Sequence, residues 1–140
     1  MLKQASGTIQ VRADRPGLRD ITRDVSAWLE SQRIGEGLLI LFCAHTSASL
    51  LIQENAAPAA RRDLQRYFER VAPEDPSLYE HNDEGPDDMP AHIRSALTQT
   101  QLSVPVIDGR LALGTWQGIF LFEHRRDPPA RRIVLHLIGE

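Results

Sequence analysis

The sequence predicts one domain, residues 1–140, that combines helices with a larger number of strands. Its length of 140 residues is typical of a single domain with a core of its own. Two segments, 20–32 and 58–71, place apolar residues at helical spacing. From residue 101 onward the pattern indicates a hairpin and two further strands, which gives the order β-α-β-(β)-α-α-β-β-β-β.

The first half of the chain begins with a strand over residues 2–13, followed by a turn at residues 15–17. Asp20 is expected to cap a helix that extends to about Gln32. The apolar run 38–44 lies between glycines and a polar cluster, so it fits a central strand that is buried on both faces. The strand in parentheses is the hydroxyl-rich segment that follows this run.

The second half begins with a helix from Pro58 to about Val71, whose apolar face comprises Leu64, Tyr67, Phe68 and Val71. Residues 73–86 read as a loop. A short helix follows to about Thr98, with Asp88 as its expected N-cap and Pro90 in its first turn.

The C-terminal segments are predicted to be strands. Asp108-Gly109 is a hairpin signal that joins residues 101–106 to residues 110–113. Two further strands are expected at residues 117–124 and 132–139.

Composition excludes several classes of protein. The net charge is -3 and the pI is about 5.9, which argues against nucleic acid as the main partner. No apolar run approaches the length of a membrane span, and the N-terminus lacks the apolar core of a signal peptide, so a cytoplasmic location is expected. The single cysteine, Cys43, is expected to be a buried thiol. The arginine pairs at 125–126 and 131–132 are interpreted as a solvated hairpin end rather than a phosphate site.

Residues 81–94 are the chemically richest stretch, with two of the five histidines and four carboxylates. If the helix prediction holds, His92 lies one turn after Asp88 on the same face. Imidazole combined with carboxylate suits zinc or a similar divalent ion, whereas carboxylates alone prefer Mg²⁺ or Ca²⁺. The structural alternative is a capped helix preceded by a hydrophilic loop.

Three other places carry candidate site residues. His45 lies where the buried strand meets Thr46 and Ser47, and fits either a ligand or acid–base role or a structural one. Glu123 and His124 end a strand, so only one of them is expected to enter a given site. The segment 114–118 fits a bend close to a ligand or a neighbouring subunit, or equally a β-bulge with a core tryptophan.

At these positions the chain resembles the YjbQ family. The resemblance covers residues 2–140 and rests on the motifs His45-Thr46-Ser47-Ala48-Ser49-Leu50, Glu54-Asn55, Arg62-Asp63-Leu64, Val71-Ala72-Pro73, Glu80-His81, Glu84-Gly85, Asp87-Asp88-Met89-Pro90-Ala91-His92-Ile93, Gly114-Thr115-Trp116-Gln117-Gly118, Glu123-His124-Arg125 and Gly139-Glu140. The family is named for a secondary thiamine-phosphate synthase activity. The resemblance implies an α+β fold, with a mixed, mostly antiparallel sheet packed against helices, and a homotrimer.

The resemblance also implies a site lined by His45, His81 and His92, with Glu84, Asp88, Trp116 and Glu123 near it. From residue chemistry together with these motifs, we expect the metal ligands to be His45, His81 and His92, holding a divalent ion, either zinc or Mg²⁺. Its catalytic residues would be His45, Glu84, Asp88 and Glu123. The residues that bind a small phosphorylated substrate would be Thr46, Ser47, Arg94, Trp116 and Gln117.

Three functions remain open from the sequence. The first is a transferase that joins hydroxymethylpyrimidine diphosphate to thiazole phosphate, in which the metal and Arg94 neutralise the leaving pyrophosphate and His45 or Glu84 handles protons. The second is a zinc-type hydrolase of another small molecule, with three protein ligands and one open position on the metal. The third is a trimeric ligand-binding protein without catalytic activity.

Overall fold

A computed structural model describes residues 1–140 as two β-sheets and three α-helices. The strands are Lys3–Val11 (β1), Gly17–Asp20 (β2), Gly37–Cys43 (β3), Ala48–Glu54 (β4), Gln101–Ile107 (β5), Arg110–Leu111 (β6), Gln117–Glu123 (β7) and Arg131–Gly139 (β8). The helices are Thr22–Gln32 (α1), Pro58–Val71 (α2) and Asp88–Leu97 (α3), with a short 3-10 helix at Pro76–Leu78. None of these helices has the length and apolar character that crossing a membrane requires.

The larger sheet has the strand order β1-β8-β3-β5-β6, and the smaller sheet has the order β2-β7-β4. Every pair of neighbouring strands is antiparallel. The α+β class is therefore confirmed, while the expectation of a mixed sheet is wrong. No helical crossover joins two parallel neighbours, which is the connection that a parallel pair needs.

The core lies where the inner faces of the two sheets meet α1. It contains fully buried aliphatic side chains from both sheets and from the helix, among them Leu39, Leu41, Leu135, Leu50, Leu121, Val25 and Leu29. This packing fixes β3, β4, β7 and β8 relative to one another. The loops at the ends of these strands are consequently held on a rigid base.

β3 is central in its sheet but is not buried on both faces. Leu39 and Leu41 are fully buried, whereas Leu38 and Phe42 are 39% and 46% exposed. Successive side chains of a strand point to opposite faces, and no helix covers the outer face of this sheet. The predicted two-sided burial is wrong for a single chain.

Several local predictions differ in detail. β2 was not predicted, and Asp20 ends this strand instead of capping α1, although its carboxylate accepts a hydrogen bond from the Thr22 amide at 2.9 Å. Asp88 is the first residue of α3, not its cap. The Asp108-Gly109 turn is confirmed, with φ values of 53° and 74° that place both residues in the left-handed region of a type I′ turn.

Candidate metal centre and adjoining groove

Four side chains that can bind a metal meet at the start of α3. The ligand atoms of His81, Glu84, Asp88 and His92 all lie within 4.8 Å of one another, and we call these residues the metal group. The Nε2 atoms of His81 and His92 lie 2.9 Å and 3.1 Å from the same oxygen, Asp88 Oδ2. Glu84 Oε2 lies 3.5 Å from His81 Nε2. The sequence prediction of a site over residues 81–94 thus corresponds to a real convergence of side chains.

Asp88 is the buried anchor of the metal group, with 2% of its surface exposed. Arg125 donates to Asp88 Oδ1 at 2.5 Å, to Asp87 Oδ2 at 3.2 Å and to the Glu84 carbonyl at 2.9 Å. Burial raises the pKa of Asp88, but the hydrogen bond from His81 and the charges of His92 and Arg125 outweigh it, so the pKa lies below its ordinary value. Asp88 is therefore a carboxylate at neutral pH, with one oxygen left for the two imidazoles.

The two nitrogens of His92 have different partners. Nδ1 lies 3.1 Å from the carbonyl oxygen of Thr46, which can only accept, so Nδ1 carries the proton and donates it. In a neutral imidazole Nε2 is then a lone pair, yet it faces the Asp88 carboxylate. Two acceptors meet at this distance only if a cation lies between them or if His92 gains a second proton.

The metal group has one open side. His81 and Glu84 have 44% and 64% of their side chains exposed, whereas Asp88 and His92 have 3% and 30%. Two imidazoles and two carboxylates are a donor set that suits zinc or a similar borderline divalent ion better than Mg²⁺. The exposed side leaves room for a water or a substrate oxygen.

A groove of about 710 Å³ adjoins His92. Its walls come from the end of β3, the loop that follows it, and the outer side of α3, and they include Phe42, Ala44, His45, Thr46, His92 and Ala96. Most of its lining surface is apolar. A small organic molecule in this groove would touch a metal-group residue at one point and His45 at another.

His45 does not belong to the metal group. Its Nε2 accepts the backbone N–H of Arg132 at 2.8 Å, and its Nδ1 lies 3.4 Å from Arg131 Nη1. Burial and the charge of Arg131 lower its pKa, which keeps the ring neutral. The structure therefore places His45 apart from His81 and His92, contrary to the expected three-histidine site, because the backbone of β8 occupies the nitrogen that a metal would need.

Glu123 and Arg131 form a buried ion pair beneath the groove, with 0% and 1% of their side chains exposed. Arg131 donates to both oxygens of Glu123, at 2.6 Å and 2.5 Å. Glu123 has no surface for a substrate, so the expected catalytic contact does not exist. The interpretation of Arg125 and Arg131 as a solvated hairpin end is also wrong, because both guanidinium groups are held by carboxylates.

His124 is buried among other partners. Its Nε2 lies 2.9 Å from Ser49 Oγ, and both residues are 1% exposed. Burial, together with the charges of Arg94 and Arg131, lowers the pKa of His124 to about 3. The pair is closed to substrate and serves the packing between β4 and β7.

The remaining predicted residues are dispersed. Thr46 and Ser47 contribute their carbonyl oxygens, to His92 and Arg131 respectively. Arg94 is buried and donates to the Ala72 carbonyl at 2.7 Å, because two residues along a helix it points about 200° away from His92. Trp116 and Gln117 lie at the far end of β7, about 20 Å from Glu123 at strand spacing. Trp116 is 64% exposed, so it is not a core anchor.

Sequence reasoning missed Arg125, the residue that joins the metal group to the sheets. The available signal was the pair Asp87-Asp88, since adjacent carboxylates at a buried helix start require a positive partner. No basic residue lies within the preceding loop, so the partner had to come from a distant segment.

Comparison with known proteins gives one consistent result. The sequence model of the family described as "UPF0047 protein YjbQ-like" matches residues 7–140. A UPF0047 protein of Synechocystis sp. is 44% identical over 138 residues, which are 99% of this chain and 94% of the relative. The UPF0047 protein YjbQ of Escherichia coli O157:H7 is 45% identical over 134 residues, covering 95% and 96% of the two chains.

Solved structures show the same architecture. A crystal structure from Sulfolobus solfataricus, described as a protein of unknown function, has a TM-score of 0.91 and 28% identity and covers 100% of both chains. A conserved hypothetical protein from Thermus thermophilus has a TM-score of 0.81 and 33% identity and covers 92% of this chain and 97% of its own. These similarities span most or all of the chain.

Proposed function

The chain belongs to the UPF0047 YjbQ-like family, and from that premise we propose that it is a divalent-metal enzyme acting on a small organic molecule. The family description assigns no activity, so the proposal rests on the site itself. Its metal ligands are His81, Asp88 and His92, with Glu84 at the exposed side.

The observation that carries the proposal is the pair of partners of His92. A carbonyl oxygen at Nδ1 and a carboxylate at Nε2 are the surroundings of a metal-binding histidine, in which the first fixes the tautomer and the second shares the ion. Asp88 is in turn held by Arg125, so both ligands are oriented before any ion binds. A capped helix preceded by a hydrophilic loop does not require two ligand side chains to be oriented in this way, so the arrangement favours a metal site over that alternative.

The chemistry follows from the positions of the side chains. A bound divalent ion supplies Lewis acidity and makes a water a nucleophile near neutral pH. Glu84 lies at the exposed side of the group, where its carboxylate can take a proton from the attacking water and return it to the leaving group. The Thr46 carbonyl keeps His92 in the tautomer that this function needs. Hydrolysis of a phosphorylated small molecule fits these roles.

The second candidate is the thiamine-phosphate synthase reaction. The groove beside His92 favours it, because its apolar walls are suited to a flat heterocycle such as a pyrimidine or thiazole. Arg94 and Arg125 are both held by protein oxygens, so the metal would have to neutralise most of the leaving pyrophosphate.

The test begins with metal content per chain in protein purified without a metal-affinity tag. We expect about one borderline divalent ion per chain in the wild type, its loss in His92→Ala, and its retention in His136→Ala, a matched histidine on β8 that pairs with Gln4. The same proteins are then assayed with phosphate esters and with both thiamine precursors. Activity that needs both precursors and Mg²⁺ supports the transferase, whereas ester cleavage blocked by a zinc chelator supports the hydrolase. Absence of a bound ion, with His92→Ala as active as wild type, contradicts the proposal.

We also propose that the chain associates as a homotrimer through the outer face of the larger sheet. The outer sheet face includes the apolar residues Leu38, Ile40, Phe42, Val134 and Ile138 of β3 and β8, and His136 lies opposite Ile40 in the middle of this face. Three of them are more than one third exposed in the single chain. A contiguous apolar area at the centre of a sheet is typical of a surface that is covered in the assembled protein.

A further inference from the structure

We propose that His45, Arg131 and Arg132 form a subsite for an anionic oxygen, of a phosphate or a carboxylate, on the molecule that occupies the groove. The inference rests on the proposed function in so far as a substrate lies in that groove. It adds the substrate class: an organic molecule with a reacting group at the metal group and an anionic group at a separate place.

The hydrogen bonds of His45 determine its tautomer. Its Nε2 accepts the backbone N–H of Arg132 at 2.8 Å, so in the neutral ring the proton is on Nδ1. The Nδ1–H group needs an acceptor, but its one hydrogen-bond contact in the structure is Arg131 Nη1 at 3.4 Å, which is itself a donor. His45 therefore presents a donor without an acceptor.

The Arg131 guanidinium is only partly satisfied by acceptors. Its Nε and Nη2 donate to Glu123, and Nη2 also donates to the Ser47 carbonyl. Nη1 has no acceptor, on a side chain that is only 1% exposed. A buried guanidinium donor without an acceptor is costly, and an oxygen placed between Nη1 and His45 Nδ1 would satisfy both groups at once.

The region beside His45 carries a net positive charge. Glu123 neutralises one of the two adjacent arginines, which leaves one positive charge beside His45. Arg132 is exposed and its guanidinium forms no ion pair. The backbone N–H of Arg132 lies 2.8 Å from His45 Nε2, so this arginine side chain begins beside the imidazole. The surplus positive charge favours an anionic oxygen over a neutral carbonyl.

His45 and the metal group lie at two separate places along the same groove. His45 and His92 both line the groove, and the residue after His45 is Thr46, whose carbonyl orients His92. One loop thus connects the two polar ends, and Ala44, Ala96 and Phe42 provide apolar walls between them. A molecule with an anionic group, an apolar body and a group that reacts at the metal matches this order.

The experiment uses the full-length protein labelled with ¹⁵N at histidine. Two-bond ¹H–¹⁵N spectra report the tautomer of His45, and titration with inorganic phosphate, then with acetate, gives the affinity for each anion. The variants are His45→Ala, His45→Asn, which keeps an N–H near the position of Nδ1, and Arg132→Gln at the surface. His81→Ala removes a metal ligand that lies outside the groove.

We expect a proton on His45 Nδ1 and a shift of its signals with phosphate. Affinity should fall by about tenfold or more in His45→Ala, fall in Arg132→Gln, and largely persist in His45→Asn and in His81→Ala. Stronger binding of phosphate than of acetate identifies a phosphorylated substrate, and the reverse order identifies a carboxylate.

Four results would overturn the subsite. They are a wild type that binds neither anion, equal anion affinity in His45→Ala and wild type, loss of anion binding in His81→Ala, and loss of the metal ion in His45→Ala, which would make His45 a ligand. The metal content of the wild type tests the proposed function by a separate readout. The two proposals can therefore fail independently.

Discussion

His92 Nε2 lies 3.1 Å from Asp88 Oδ2, one helical turn earlier on α3, while the opposite nitrogen of the ring is fixed by the Thr46 carbonyl. The carboxylate belongs to the loop-to-helix junction and the carbonyl to the loop after β3. The imidazole is therefore held between two segments that are far apart in the sequence. Because neither partner can donate, Nε2 and Asp88 share either a metal ion or a second ring proton, and the proposed function takes the first.

Replacing Asp88 by Asn tests this relationship with almost no change in size. The amide keeps one acceptor oxygen but loses the charge that His81, His92 and Arg125 surround, so metal affinity should fall by about 10- to 100-fold. Asp83→Asn is the matched control, because Asp83 is exposed in the same loop and makes no side-chain contact in the metal group. Competition with a coloured chelator measures both affinities. Equal losses in the two variants would show a non-specific charge effect instead of ligation.

The buried pair of Glu123 and Arg131 should be strongly coupled. Glu123→Gln leaves a buried guanidinium without its counter-charge, and we expect it to lower the free energy of unfolding by about 3–5 kcal/mol. The double variant with Arg131→Met should lose less than the sum of the two single changes, since it leaves no unpaired charge. Urea unfolding of the four proteins measures the coupling.

The exposed pair of Arg126 and Glu74 is the comparison for this cycle, at a similar distance of 2.5 Å but with side chains 55% and 32% exposed. Screening by solvent should hold the effect of Arg126→Gln below about 1 kcal/mol. If Glu123→Gln and Arg126→Gln lower the free energy of unfolding by similar amounts, burial does not determine how much the Glu123–Arg131 pair contributes to stability.

His124 should make stability dependent on pH in the acid range. Its pKa is about 3 in the folded chain against 6.5 for the free side chain, so below pH 6.5 the unfolded chain binds a proton that the folded chain does not. The free energy of unfolding should then decrease as pH falls from 6.5 towards 3, by up to about 1.4 kcal/mol per pH unit from this group. In His124→Gln the slope over this window should become shallower. Urea midpoints at half-unit intervals measure the slope of each protein, and identical slopes in the wild type and in His124→Gln would contradict the assignment to His124.

Local patterns in the sequence were enough for the helices, the hairpin and the metal group. The bounds of α2 follow from Pro58 and the apolar spacing after it, and the Asp108-Gly109 turn follows from backbone preferences alone. The metal group could be predicted because its four members lie within twelve residues, on one loop and one helix face. Information of this kind is contained in a short window of sequence.

Contacts between distant segments could not be predicted in the same way. β2 has only four residues, and it is a strand because β7 is beside it. The Arg131 guanidinium is buried because it pairs with Glu123 at the end of β7 in the other sheet, although the surrounding Arg and Pro residues are typical of an exposed turn. His45 has the composition of a metal ligand, but the backbone of Arg132 takes its Nε2. For β2 and His45 the deciding partner lies far along the chain, and for Arg131 it lies only eight residues away but in the other sheet.

The outer sheet face provides the last prediction, which concerns assembly. Leu38 and Ile138 are directly opposite in the register of β3 and β8 and are 39% and 37% exposed in the single chain. If three copies associate through this face, placing a carboxylate at both positions buries charge without a partner, so Leu38→Glu/Ile138→Glu should be monomeric and still folded. Leu78→Glu is the control, since Leu78 is 60% exposed but lies on the 3-10 helix away from the sheet.

Sedimentation velocity gives the mass of each species, and circular dichroism checks the fold. A trimeric wild type and control with a monomeric double variant supports association through β3 and β8. A wild type that is monomeric at micromolar concentration contradicts the homotrimer. A double variant that remains trimeric places the interface on another surface. Phe42 belongs to both the outer sheet face and the groove, so association through this face would also place a neighbouring copy beside the groove.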